Sequence, residues 1–163
     1  MGTRKVPYYK YTPEPVLENS ECKLYWDRTV LTDQKTVNNR PDLILVDKRL
    51  RKTTLIDVAI PNNNNLLAKY NEKIIKYRDL EGQIRRQWGM ESVKTVPIII
   101  SSTGLIPKTL LENLKQLGLS EHHYKNMQKA VLLGTARVVR KFMGTEDRTP
   151  SRARQHGTSP LRA

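Results

Sequence analysis

Arg40-Pro41-Asp42-Leu43-Ile44-Leu45-Val46 and Thr54-Leu55-Ile56-Asp57-Val58-Ala59-Ile60 are two apolar runs separated by the charged segment Asp47-Lys48-Arg49-Leu50-Arg51-Lys52. A short polar connection between two such runs is a hairpin signal, so residues 42–46 and 54–60 are expected to be strands. Each run carries one acid. Charged side chains are almost never fully buried unless they are paired or coordinate a metal, so Asp42 and Asp57 on neighbouring core strands point to a cation site. Strand alternation puts Leu55, Asp57 and Ala59 on one face and Ile56, Val58 and Ile60 on the other. Asp42 opens its strand, where a hairpin partner can bring it beside Asp57. Two carboxylates at that distance repel, and a hard divalent cation such as Mg2+ relieves the repulsion while keeping several waters, one of them a candidate nucleophile.

Beyond the second run, Pro61 and the asparagines at 62–65 break the strand, and the last asparagine can cap a helix starting near Leu66. Leu66, Tyr70, Ile74, Tyr77, Ile84 and Trp88 fall on one face of a single long helix ending near Gly89. At roughly 100° per residue, Lys73 lies about 60° from the centre of that stripe, with Lys69 and Lys76 just beyond it. Phosphodiester hydrolysis needs positive charge near the attacked phosphate and a group that orients or deprotonates water, and lysine can supply either. Lysines beside a buried stripe also snorkel without any chemical role. What singles these out is their position directly after the acidic strands, with Lys73 nearest the core.

The continuous β-branched run from Val96 to Ser101 reads as a buried strand returning beside the hairpin. A helix over 108–117 ends at the C-cap Gly118, and another starts at Ser120-Glu121 with the stripe Tyr124, Met127, Val131, Leu132, Val138 and Phe142. On the amino-terminal side, residues 1–15 form a proline-broken lead-in, and a short helix is expected around Val16-Leu17-Glu18. Residues 22–26 and 29–31 read as a strand pair or a strand and turn before the polar loop 33–39. Residues 144–163 have almost no apolar content and read as a disordered basic tail. The expected architecture is one α/β domain over 16–143, with strand-strand-strand-helix-strand order and two further helices.

The chain has 163 residues, 37% of them apolar, and its 29 Lys and Arg against 16 Asp and Glu give a formal charge of +13. Such a balance points to a polyanionic partner, nucleic acid first, although it can also serve solubility alone. There is no apolar segment long enough to span a membrane and no secretory leader pattern in residues 1–9, so an intracellular protein is expected. The single cysteine, Cys22, excludes an internal disulfide, and the three histidines have no zinc-site spacing. His122-His123 lacks a third ligand, and Trp26, Trp88 and Phe142 read as core residues.

Pro41-Asp42, Asp57 and Glu72-Lys73-x-x-Lys76-Tyr77, in that order, resemble the restriction-like endonuclease domain at the carboxyl end of site-specific non-LTR retrotransposon polyproteins, a variant of the PD-(D/E)xK nuclease fold. Flanking words are similar too: Tyr25-Trp26-Asp27-Arg28, Asn39-Arg40-Pro41-Asp42, Lys76-Tyr77-Arg78-Asp79-Leu80 and Pro97-Ile98-Ile99-Ile100. In the general motif the lysine lies two residues beyond the second acid, where this chain has Ala59; the retrotransposon variant takes it from the following helix, where Lys73 stands. The resemblance, covering about Val16 to Phe142, implies a restriction-endonuclease-like mixed sheet and a nuclear endonuclease that nicks DNA with Mg2+ or Mn2+. It implies Asp42 and Asp57 as metal ligands, Glu18 as an additional ligand, Lys73 as catalytic lysine, and Lys76 and Tyr77 as supporting residues. Arg40, Lys48, Arg49, Arg51, Lys52 and Lys69 would contact DNA phosphates, with element RNA as a further candidate partner. The chain has none of the polymerase motifs of such polyproteins, so it reads as a fragment, and its oligomeric state is open. The competing reading is an inactive nucleic-acid-binding remnant whose acids tie down the basic hairpin.

Overall fold

The computed structural model describes residues 10–144. The stretch 1–9 of the lead-in and the tail from 145 onward lie outside the described residues. The remainder is a mixed α/β fold: strands β1 (Val16–Glu18), β2 (Cys22–Trp26), β3 (Leu43–Asp47) and β4 (Lys52–Ala59), then helices α1 (Leu66–Lys76) and α2 (Arg78–Gln87), strand β5 (Ser92–Ile99), and helices α3 (Lys108–Gln116) and α4 (His123–Phe142). The sheet runs in the order β1-β2-β3-β4-β5. The first four strands are antiparallel neighbours, and β5 lies parallel to β4 after the helical crossover.

The β3-β4 hairpin forms where the two apolar runs predict it. Its turn is held by Asp47 Oδ1, which accepts from the backbone N–H of Leu50 at 2.7 Å, and by Arg51, whose φ of 48° reverses the chain. Leu43 pairs with Ile56 and Ile44 with Leu55, so one further step along the register sets Asp42 level with Asp57. Alternation then sorts the side chains into two cores. Ile44, Val46 and Leu55 pack with Tyr77, Leu80 and Ile84 on the α1-α2 face, whereas Ile56, Ile98 and Ile100 pack with Leu110, Leu114 and Val131 on the α3-α4 face. Each fully buried side chain contributes on the order of 1.5–3 kcal/mol. Pro97, buried in β5, lacks an N–H to donate to the ladder and sits on an edge strand, where proline is tolerated. Its carbonyl accepts from Nδ2 of buried Asn113 at 2.6 Å, which fastens α3 to that edge.

Three expectations are corrected. Residues 16–18 form a strand, not a helix, because their backbone pairs with β2, Val16 opposite Tyr25 and Glu18 opposite Lys23. Residues 29–31 are irregular, although Val30 is buried. The single long helix is two, broken at Tyr77, whose φ of −103° and ψ of 6° leave the helical region. Asn65 stands at the N-cap of α1 without a capping side-chain bond. Gly89 and Gly118 have φ of 62° and 71°, the left-handed conformation that terminates helices.

The stripe on α4 is only partly core. Val131 is buried and Tyr124 and Met127 pack beside it, but Leu132, Val138 and Phe142 are exposed, Phe142 to 91%. Trp26 is also exposed, while Trp88 packs on the α1-α2 core. Among the described residues no helix is long and apolar enough to cross a membrane.

Candidate active site

Asp57 is 2% exposed and points to the α1-α2 face, as alternation from Leu55 requires. The break between α1 and α2 brings Tyr77, fully buried, over this part of β4. Its phenol donates to Oδ1 of Asp57 at 2.8 Å, with the Arg40 carbonyl a second acceptor at 3.3 Å. Burial first, and then the Asp57 hydrogen bond, raise the Tyr77 phenol well above its ordinary value, so it remains a donor. The last turns of α1 supply two ammonium groups to the other oxygen. Lys73 Nζ contacts Asp57 Oδ2 from a side chain only 15% exposed, and Lys76 Nζ lies 3.9 Å from the same atom. Lys76 also sits 4.5 Å above the Tyr77 ring. Oδ2 is buried and takes no directed hydrogen bond, so its charge is balanced by these cations alone among the described residues.

Asp42 is exposed beside this cluster. Its Oδ2 accepts from the backbone N–H of Val58 at 2.7 Å, and its carbonyl accepts from Asp27 N–H at 2.8 Å. Its side chain is thereby fixed to β4 next to Asp57, and its second carboxylate oxygen has no protein partner among the described residues. Asp27, with a φ of 47°, carries a forked pair to Arg40, both bonds 2.7 Å. Arg40 holds the Asp27 carboxyl below its ordinary range, and Asp27 in turn raises Arg40. The role of Asp27 in anchoring the residues before Asp42 was not apparent in the sequence; the only clue is an acid just after β2, where a turn can place it in the left-handed region.

The fold therefore brings together Asp42, Asp57, Lys73, Lys76 and Tyr77. Glu18 is elsewhere. It pairs with Lys23, which lies opposite Val46, whereas Asp42 precedes Leu43 at the other end of β3. There it forms ion pairs with Lys48 at 2.7 Å and Lys23 at 3.1 Å, which lower its carboxyl below the ordinary range. Among the described residues no third His, Cys or acid joins the two aspartates.

The cations proposed for DNA divide in a similar way. Arg40 is paired with Asp27, Lys48 with Glu18, Arg51 with Glu91 and Lys69 with Glu72. Arg49 and Lys52 are exposed with no ion-pair partner among the described residues, but they stand at the hairpin turn. Lys52 is five residues along β4 from Asp57, about 17 Å at the usual strand rise.

Could the acid pair accept a divalent ion? Magnesium commonly binds through one or two carboxylates, keeping water and substrate phosphate as its other ligands. The unpartnered Asp42 oxygen and the buried Asp57 Oδ2, free of directed hydrogen bonds, match that donor set. No protein-family model matches this chain, and no curated protein matches it in sequence.

Proposed function

We propose that this domain is a metal-dependent endonuclease of restriction-like fold that nicks DNA, related to the nuclease domains of non-LTR retrotransposons. The observation that carries this reading is the placement of Asp42, just before β3 and bonded to Val58 N–H, beside Asp57 of β4, with Lys73 of the following helix against Asp57. Asp42 and Asp57 would hold Mg2+ or Mn2+. When bound, the ion supplies Lewis-acid polarisation of a phosphoryl oxygen and a water acidic enough to attack at neutral pH.

The protein's own groups have separable tasks. Tyr77 fixes the Asp57 carboxylate through Oδ1 and leaves Oδ2 directed toward the lysines. The Val58 N–H fixes Asp42 in the same way. Lys73 balances the buried Asp57 charge; once that charge is otherwise neutralised, its ammonium is free to face a phosphate oxygen or to orient the attacking water. Lys76, more exposed, offers a second positive charge toward the substrate. The test is relaxation of supercoiled plasmid: nicked circles in Mg2+ and none in EDTA.

One observation favours a second reading. Asp57 already has Tyr77, Lys73 and Lys76 around it, so its charge is balanced without any added ion. A non-enzymatic nucleic-acid-binding domain would then bind DNA in a salt-dependent way and cleave it with no divalent metal.

A further inference from the structure

Four of the six basic residues proposed for DNA are held in ion pairs, and the other two stand at the hairpin turn. Another group of cations is differently placed. The loop between β2 and β3 and the exposed side of α2 enclose a cleft of about 320 Å³, at the small end of the range for ligand sites. Lys35 enters it from the loop, Arg78 and Arg86 from α2, and Lys76 from the end of α1. Lys35, Arg78 and Arg86 are exposed and have no ion-pair partner among the described residues, although Asp79 also lines the cleft. Its wall is held in shape by Gln83, which is buried and donates through Nε2 to Gln34 Oε1 of the loop at 3.2 Å. Arg86 lies along Gly82, with Nη1 3.5 Å from the position a Cβ would take, an ordinary contact distance.

Lys76 belongs both to this cleft and to the acid cluster, since its Nζ is 3.9 Å from Asp57 Oδ2. Positive charge therefore continues from Lys73 through Lys76 to Arg78, Arg86 and Lys35. Among the described residues no aromatic ring lines the cleft, so these residues offer no surface for stacking a base. Unpaired guanidinium groups in a polar cleft instead suit phosphate oxygens, which Arg binds through its planar fork of donors.

We propose that this cleft is a phosphate-binding subsite for the DNA strand flanking the cleaved bond, with Lys35, Arg78 and Arg86 gripping the backbone and Lys76 joining the subsite to the acid pair. This rests on the endonuclease reading and adds the path of the substrate. Because the contacts are to backbone phosphate, they position the strand and read no sequence.

The experiment measures binding of a short labelled DNA duplex to the full chain in EDTA across a salt series, so that cleavage plays no part. Arg78→Ala/Arg86→Ala should lower the slope of log affinity against log salt by about two, close to one per lost phosphate contact. Lys115→Ala/Lys129→Ala removes equal charge from α3 and α4 on the opposite sheet face and should leave the slope unchanged. Circular dichroism establishes that both proteins are folded. Equal slopes for the Arg78/Arg86 variant and wild type, or equal losses in both double variants, would overturn the subsite. A wild-type protein that shows the slope difference but never nicks plasmid in Mg2+ sinks the endonuclease reading while the phosphate subsite stands.

Discussion

The phenol of Tyr77 donates a 2.8 Å hydrogen bond to Oδ1 of Asp57 from the residue at which the crossover helix breaks. Tyr77 is fully buried between α1 and α2, packed with Leu80 and Ile84 against the sheet face that carries Asp57. Removing the hydroxyl leaves a buried carboxylate short of one donor. Hydrogen bonds to charged groups contribute about 1.5–3 kcal/mol, so Tyr77→Phe should lower the urea midpoint by a corresponding amount with little change in slope. An unchanged midpoint would mean that the bond does not help hold Asp57.

The same residue makes an alkaline prediction. Burial and Asp57 raise the folded-state value of Tyr77 above its unfolded value of 10.0, so its stabilising contribution is complete below pH 10. Above that pH the unfolded chain releases this proton while the folded chain keeps it, and stability falls as the pH rises. Tyr77→Phe should therefore show a shallower loss of stability above pH 10 than wild type in parallel urea titrations. Identical slopes would contradict a proton held on the phenol.

Lys73 and Mg2+ should act on the same charge. Removing one partner of a buried ion pair costs about 3 kcal/mol, so Lys73→Ala should unfold at lower temperature than wild type in EDTA. A divalent ion that binds the folded state stabilises it in proportion to its affinity. With the Lys73 ammonium gone, Mg2+ should raise the melting temperature more in the variant than in wild type. Melting temperatures that ignore Mg2+ in both proteins would argue against a cation at Asp57.

Gly104, with a φ of 83°, lies where an added Cβ would sit 3.1 Å from Leu132 of α4, and its carbonyl accepts from Gln128 Nε2 at 2.7 Å. Gly104→Ala combines a left-handed backbone with this contact and should cost about 1–3 kcal/mol in chemical denaturation. Since α4 lies on the face opposite Asp57, nicking by the folded variant should be unaffected.

The hairpin and its acid pair were readable from sequence because a period of two, a polar turn and two lone acids all act locally. The break at Tyr77 was not, since Tyr77 continues the apolar spacing of the stripe and only its contact with Asp57 on β4 distinguishes it. The β1 strand leaves no mark in the sequence, because three exposed residues carry no usable periodicity and owe their conformation to pairing with β2. On α4 the apolar pattern was visible, but a pattern does not say whether anything covers Val138 or Phe142. Charge pairing was equally hidden. Nothing local marks Arg40 as the partner of Asp27, thirteen positions away, or leaves Arg78 and Arg86 facing a cleft.

The central claim is that Asp42, Asp57 and Lys73 form one hydrolytic site. Its most direct test is plasmid nicking in Mg2+ by wild type, Asp42→Asn, Asp57→Asn and Lys73→Ala, with DNA binding measured on the same preparations. Asp42→Asn keeps an oxygen able to accept from Val58 N–H and removes only the charge. The expected result is nicking by wild type, its loss in all three variants, and retained DNA binding throughout. Nicking that persists in both Asp57→Asn and Lys73→Ala would contradict the assignment of the site.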